Sequence, residues 1–219
     1  ERVRELDNNF DRTEEVSRLS LIKKKNITFS SKKDSMVQSQ FYIITVPTPV
    51  SKENDPDLTS LKKAAQIIGE IMLKGSIIII ESTVYPGVTE NIIAKVLEKE
   101  SGLNYPKDFN LAYSPERINP GDTKFKLRNI KKVVSADSEK VLNKVFVLYK
   151  KIIKAGVFKA KSIKVAETSK AIENAQRDIN IAFINEIAMI SKAIGIEARD
   201  VLQAAKTKWN FLDFQPGLV

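Results

Sequence analysis

An α/β fold, with a doubly wound parallel sheet followed by a long helix and an all-helical C-terminal region, is what this sequence predicts. Two unbroken apolar runs, Phe41-Tyr42-Ile43-Ile44-Thr45-Val46 and Ile77-Ile78-Ile79-Ile80, lack the polar alternation of a half-exposed strand and read as strands covered on both faces. Helical segments alternate with such runs at the spacing of βαβ units. From Ser162 the pattern changes to one helical stretch reaching about Ile194, and its second half is apolar around most of its circumference.

In chain order, two helical segments are expected near residues 1–8 and 12–24, the second with Asp11 and Thr13 as cap candidates. Asn26-Ile27-Thr28-Phe29-Ser30 reads as a short β-like segment, and the strand at 41–46 ends at Pro47-Thr48-Pro49. A helix over 58–73 starts after Asp57 and stops before Gly75, and the isoleucine strand at 77–80 follows. Next come a helix over 88–100, a strand from Phe109 to Tyr113, a loop, a strand near Lys132 to Ser135, a helix over 137–153 and a strand near Val157. The long helix spans about 162–194, and a shorter one starts near Glu197. The stretch Ile179 to Ile190 must be buried on more than one side, and a second subunit would cover one of them. These elements divide the chain into 1–160 and 161–219; no Pro- or Ser-rich linker marks the boundary, so the two parts are expected to pack as one body.

With 219 residues and 42% hydrophobic content the chain can bury a core. It has no apolar run near the roughly 18 residues of a membrane span, and its first residues have no apolar centre of a secretory signal, which places it in the cytoplasm with no membrane partner. Absence of cysteine and histidine excludes disulfides, thiolate metal sites and the commonest metal ligand, so no metal is expected. Any chemistry then falls to Lys, Glu, Asp, Asn, Thr and Tyr. The net charge of +9 comes from dispersed lysines; the densest groups, Lys23-Lys24-Lys25 and Lys150-Lys151, fall at helix ends, where cations suit the macrodipole. That favours a solvated helix end over a nucleic-acid patch, and the same field would also draw in an anionic substrate.

In an open α/β sheet ligands bind beyond the carboxyl ends of the strands. Three such ends have unusual chemistry. Val46-Pro47-Thr48-Pro49 is a rigid, donor-poor lip on which an adenine or ribose can rest, or simply a stiff loop. Glu81-Ser82-Thr83-Val84-Tyr85-Pro86-Gly87 places hydroxyls before a helix whose N-terminal amides favour anions, although Ser82 and Thr83 serve equally as turn and cap residues. After the strand at 109–113, Glu116 follows a proline and precedes Arg117; it suits a general base, and equally half of a surface ion pair. On the long helix Lys170, Asn174 and either Arg177 or Asp178 share a stripe that Asn185 continues. A lysine and an amide one turn apart can stabilise a developing oxyanion; a wet face with a Glu173–Arg177 salt bridge is the plainer alternative.

Four blocks in order resemble the UDP-glucose/GDP-mannose dehydrogenase family: Thr45-Val46-Pro47-Thr48-Pro49, Glu81 to Gly87, Tyr113-Ser114-Pro115-Glu116-Arg117-Ile118-Asn119-Pro120-Gly121-Asp122, and Lys170-Ala171-Ile172-Glu173-Asn174 leading to Asn185-Glu186. The resemblance implies a Rossmann-like domain, NAD as cofactor and a four-electron oxidation of a nucleotide sugar's C6 alcohol to a carboxylate through a cysteine-bound thiohemiacetal and thioester, supplying surface polysaccharide precursors. Carried over by position, it implies that Val46, Pro47, Thr48 and Ser82 line the cofactor and that Thr83 borders the nicotinamide and positions the catalytic water. It further implies that Glu116 assists thioester hydrolysis as a base, that Lys170 and Asn174 stabilise the oxyanions at C6, and that Glu116, Arg117, Lys170, Asn174 and Gly217 meet the sugar nucleotide. Arg177 and Asn185 would support the site or a homodimer packed through the central helix.

The Tyr113–Asp122 block resembles the branch acting on UDP-N-acetylglucosamine or UDP-N-acetylgalactosamine, since a second glutamate usually stands at the place of Pro120 in the UDP-glucose branch. Lys206 to Phe211 and Phe214 to Val219 fit the same branch. UDP-glucose and UDP-N-acetylmannosamine are the alternative substrates. Two departures stand against the pattern: the sequence contains no Gly-x-Gly-x-x-Gly, and it stops just before the family's Gly-Gly-His-Cys. These 219 residues alone are therefore expected to turn over nothing. A helical interaction module that has kept the motif residues as relics is the rival reading.

Overall fold

Ile77–Ile80 forms β2, four isoleucines all buried, and it reads as an unbroken apolar run because both faces of the strand are covered. It stands in a five-stranded sheet of order β1-β2-β3-β4-β5, with β1 at Phe41–Ile44, β3 at Asn110–Tyr113, β4 at Lys132–Ala136 and β5 at Val157–Lys159. The computed structural model describes residues 1–23, 26–118 and 125–218; expectations that rest on Lys24, Lys25, Asn119, Pro120, Gly121, Asp122 and Val219 lie outside the described residues.

Strands β1, β2 and β3 are parallel. The first crossover is α3 (Thr59–Gly69), and the second is a π-helical turn (Thr89–Ile93) that continues into α4 (Ala94–Ser101). Strand β4 runs antiparallel to β3 and then reaches the parallel β5 through α5 (Glu139–Lys150). The sheet is thus mixed, which corrects the all-parallel expectation. A parallel return needs a crossover, usually a helix. Among the described residues the β3–β4 connection holds a three-residue 3-10 turn, Leu127–Asn129, and no crossover helix.

The two faces of the sheet are filled separately. Ile78, Ile80, Leu111 and Tyr113 pack with Leu61, Ala65 and Ile68 of α3 and with Ala94 and Leu97 of α4. Ile77, Ile79, Ala112 and Val134 pack with Val141, Leu142, Val145 and Tyr149 of α5, whose spacing puts them on one helical stripe. Each fully buried isoleucine contributes about 1.5–3 kcal/mol of transfer free energy, which makes β2 the best anchored strand at the site.

The N-terminal region departs from its expected form. Helix α1 covers Arg2–Asp7, but the second helix shrinks to α2 (Arg18–Ile22), capped by Ser17 rather than by Asp11 or Thr13. The Asp11 carboxylate accepts from Arg2 and from the amides of Thr13 and Val16, which curls residues 11–16 into a turn. Hydrogen bonds from Thr13 and Arg2 hold that carboxyl well below its usual range. Residues 26–30 form no strand: Asn26 has φ +58, outside the extended region, and Ile27 is exposed.

Two compact units result, Glu1–Glu167 and Thr168–Val219. Helix α6 spans Ile163–Ala193, and α7 spans Ala198–Ala205. Within the second unit Ile184 and Ser191 lie on the one buried line of α6, whereas Ile179, Phe183, Met189 and Ile190 are exposed; in this chain the helix is covered along a single stripe. No helix among the described residues is long and apolar enough to cross a membrane.

Candidate active site

The ends of β1, β2 and β3 lie side by side, and backbone bonds continue their ladder one step past the strands: Glu81 N donates to Ile44 O at 2.9 Å and Ser114 N to Ile80 O at 3.0 Å. Two hydroxyls then tie the loop after β1 to the loop after β2. Ser82 Oγ donates to Val46 O at 2.6 Å, and Thr48 Oγ1 donates to Thr83 O at 2.7 Å. Between the loops is a cleft of about 270 Å³ lined by Thr45, Val46, Pro47, Thr48, Glu81, Ser82, Thr83 and Glu116. The sequence candidates Val46, Pro47, Thr48, Ser82, Thr83 and Glu116 therefore meet in one place.

Glu116 is held by its own loop. Its Oε1 accepts from the amides of Arg117 at 2.6 Å and Ile118 at 2.8 Å, which leaves Oε2 for other partners. The Arg117 guanidinium donates to the Lys131 carbonyl at 2.9 Å. Behind Glu116 stand three groups absent from the sequence candidates. Lys132 Nζ, 3% exposed, lies 3.2 Å from Glu81 Oε2 and 4.0 Å from Glu116 Oε2, and the Tyr149 hydroxyl donates to Glu81 Oε1. Burial, and then the charge of Glu81, push the Tyr149 phenol up, so it stays a donor. Glu81 was legible as the first charged residue after the isoleucine run. Lys132 was not, because it begins a strand: only the antiparallel course of β4 brings that beginning to the end of the sheet where β1 to β3 finish.

The helix start after Thr83 differs from its expected role. Gly87 has φ +97, and a β-carbon there would come within 2.9 Å of Asn91 Nδ2, so the turn requires glycine. The amides of Gly87 and Thr89 donate to the buried Glu167 carboxylate at 2.6 and 3.0 Å. The anion that these helix amides favour is thus a side chain of the chain itself.

In the second unit Lys170 is half-buried on α6, and Asn174 Oδ1 accepts from Arg177 at 3.3 Å. A hollow of about 280 Å³ is lined by Asn174, Ala175, Arg177, Asp178, Ile181 and Leu218. Asn185 holds the tail of the chain: its Nδ2 donates to Gly217 O at 2.8 Å, and Gly217 N donates to its Oδ1 at 2.9 Å.

What the cleft of the first unit can bind follows from its lining. Its volume lies just below the range of about 300–1,000 Å³ that holds a whole organic ligand, so it suits one end of a larger molecule. Hydroxyls, Pro47 and two carboxylates line it, with no Lys or Arg among the lining residues. Such a wall suits a nucleoside, whose hydroxyls need acceptors, better than a phosphate.

Comparison with known proteins agrees with this chemistry. The NAD-binding domain model of the UDP-glucose/GDP-mannose dehydrogenase family matches residues 3–153, and the central domain model of the same family matches residues 164–219. Protein CapL of Staphylococcus aureus is 50% identical over the whole chain, which covers 51% of that protein. A UDP-N-acetyl-D-glucosamine 6-dehydrogenase of Pseudomonas aeruginosa is 49% identical, again over the whole chain and 52% of the relative. Among solved structures, the UDP-D-ManNAc dehydrogenase of Pyrococcus horikoshii superposes with a TM-score of 0.89 at 31% identity, over 99% of this chain and 52% of that one. The chain spans about half the length of the curated relatives it matches.

Proposed function

The chain belongs to the UDP-glucose/GDP-mannose dehydrogenase family, and from that premise we propose that the protein carrying it oxidises the C6 alcohol of a UDP-N-acetylhexosamine to the carboxylate with NAD. The observation that carries this reading is the meeting of Thr83 and a loop-clamped Glu116 in one hydroxyl-lined cleft at three strand ends. The branch acting on UDP-N-acetylglucosamine or UDP-N-acetylgalactosamine is favoured by 49% identity to a UDP-N-acetyl-D-glucosamine 6-dehydrogenase against 36% to a UDP-N-acetyl-D-mannosamine dehydrogenase.

NAD, when bound, supplies the hydride acceptor. Residues 1–160 form the domain that binds it, and Val46, Pro47, Thr48 and Ser82 take a nucleoside half through their rigid lip and free hydroxyl lone pairs. Thr83 orients water, and Glu116, with Oε2 uncommitted to its own loop, accepts a proton from it. Lys170 and Asn174 donate to the oxygen on C6 as it gains charge. Arg117 and Gly217 meet the sugar nucleotide. The thiol that the family's chemistry calls for is not among these 219 residues. Residues 161–219 form a dimerisation domain in which exposed Ile179, Phe183, Met189 and Ile190 pack against a second copy. Phe183→Asp should convert the dimer to a monomer in light scattering, and an unchanged mass would refute this packing.

The activity test is NADH formation by the protein at the full length its gene encodes, with UDP-N-acetylglucosamine, UDP-N-acetylgalactosamine, UDP-N-acetylmannosamine and UDP-glucose compared. Two NADH per N-acetylhexosamine are expected. Oxidation of UDP-glucose alone or of UDP-N-acetylmannosamine alone would refute the branch, and no NADH from any of the four would refute the activity.

A further inference from the structure

Lys132 is a lysine that burial alone does not explain. Taking an ammonium out of water is costly unless opposite charges surround it, and this one is 3% exposed. Its Nζ makes no hydrogen bond among the described residues, yet Glu81 Oε2 lies at 3.2 Å, Glu116 Oε2 at 4.0 Å and the Tyr149 ring centroid at 5.5 Å. The two carboxylates are committed differently. Glu81 gives one oxygen to the Tyr149 hydroxyl and the other to the ammonium, so it is fixed at both ends. Glu116 gives Oε1 to two amides of its own loop, and Oε2 faces the ammonium without touching it.

From this arrangement, and resting on the dehydrogenase reading above, we infer that Lys132 is a positioning residue for Glu116. Its charge draws Oε2 toward the floor of the cleft and lets Glu81 and Glu116 stand next to one another as anions. Because Nζ is not bound to Glu116 by a hydrogen bond, the attraction orients the carboxylate while leaving Oε2 able to accept a proton. The plainer role for Lys132 is to neutralise Glu81 and nothing more. The two roles separate in the double variant E81Q/K132M, which removes the buried cation and its close partner together and so leaves no uncompensated charge behind them.

The test uses the full-length protein and two readouts. Steady-state kinetics should show kcat lowered by about 10- to 100-fold in E81Q/K132M, the range that misplacing a reacting group by about an ångström produces, with KM for NAD and for the UDP-sugar little changed. The 13C carboxyl resonance of Glu116, assigned by its loss in E116Q, should shift in the double variant without any substrate present. A double variant with wild-type kcat, or with a Glu116 resonance that has not moved, overturns the positioning role. If the wild-type protein oxidises none of the UDP-sugars, the functional reading fails by itself, and the Glu116 resonance still decides the role of Lys132.

Discussion

Replacing Glu167 by Gln tests whether one buried carboxylate holds the loop that carries Thr83. Its two oxygens accept from the amides of Gly87 at 2.6 Å and Thr89 at 3.0 Å, and the residue has no exposed surface. A hydrogen bond to a charged group contributes about 1.5–3 kcal/mol, and a buried donor left without an acceptor costs about 1–3 kcal/mol. Glutamine keeps one acceptor oxygen but turns an N–H toward the second amide, so one charged bond becomes neutral and the other becomes a donor facing a donor. The expected loss is about 3 kcal/mol, which corresponds to roughly a 150-fold change in an equilibrium constant. Native-state hydrogen exchange reads it directly: protection of the Gly87 and Thr89 amides should fall by about that factor. The denaturant midpoint should move in the same direction. A loss below about 0.5 kcal/mol, the range of an ordinary surface substitution, would refute the claim that Glu167 holds this turn.

Ser82→Ala deletes the donor to Val46 O and should destabilise the protein by about 1–2 kcal/mol while raising the Kd for NAD in calorimetry; an unchanged Kd would remove Ser82 from the cofactor wall. Asp108 is held at about 2 against an ordinary 3.8, by Lys74 first and then by the Asn104 amide. Its folded value is depressed, so its contribution is complete above the ordinary value and is lost as pH falls from about 4 toward 2. Asp108→Asn should flatten the stability profile in that window, and two profiles that stay parallel through it would refute the assignment. Asn185→Ala should release both backbone groups of Gly217, seen as faster exchange of the Gly217 amide, and equal exchange would show that the tail is held elsewhere.

Much of this architecture was legible wherever one residue type repeats against a uniform environment. Ile77 to Ile80 read as a strand at its observed bounds, since four β-branched apolar residues with both faces covered admit little else. The long helix was legible for a similar reason, within about a residue of Ile163–Ala193. Six candidate residues of the first cleft also came together, because parallel strands end at one edge and their following loops must share it. What stayed hidden depends on partners distant in the chain. Asn26 to Ser30 have strand-like composition but begin with Asn26 at φ +58, and the helix expected from residue 12 gives way to the amides collected by Asp11. The direction of β4 was hidden too, although a loop without a helix before Lys132 already pointed to a direct return.

That return gives the cleft a component of a different mechanical kind. Thr83 and Glu116 stand on chain that has just left the sheet, so their placement follows whatever their loops do. Lys132 stands on chain that is entering it, with its amide on Gly156 O at 3.1 Å and its Cα in register with Val157. Loop rearrangement on binding can therefore move the groups that face a ligand, while the cation beneath them keeps its address. Selection acting on the two connecting loops, for a different sugar or a different cofactor grip, can change much of the wall without disturbing the charge against which its carboxylates are aligned.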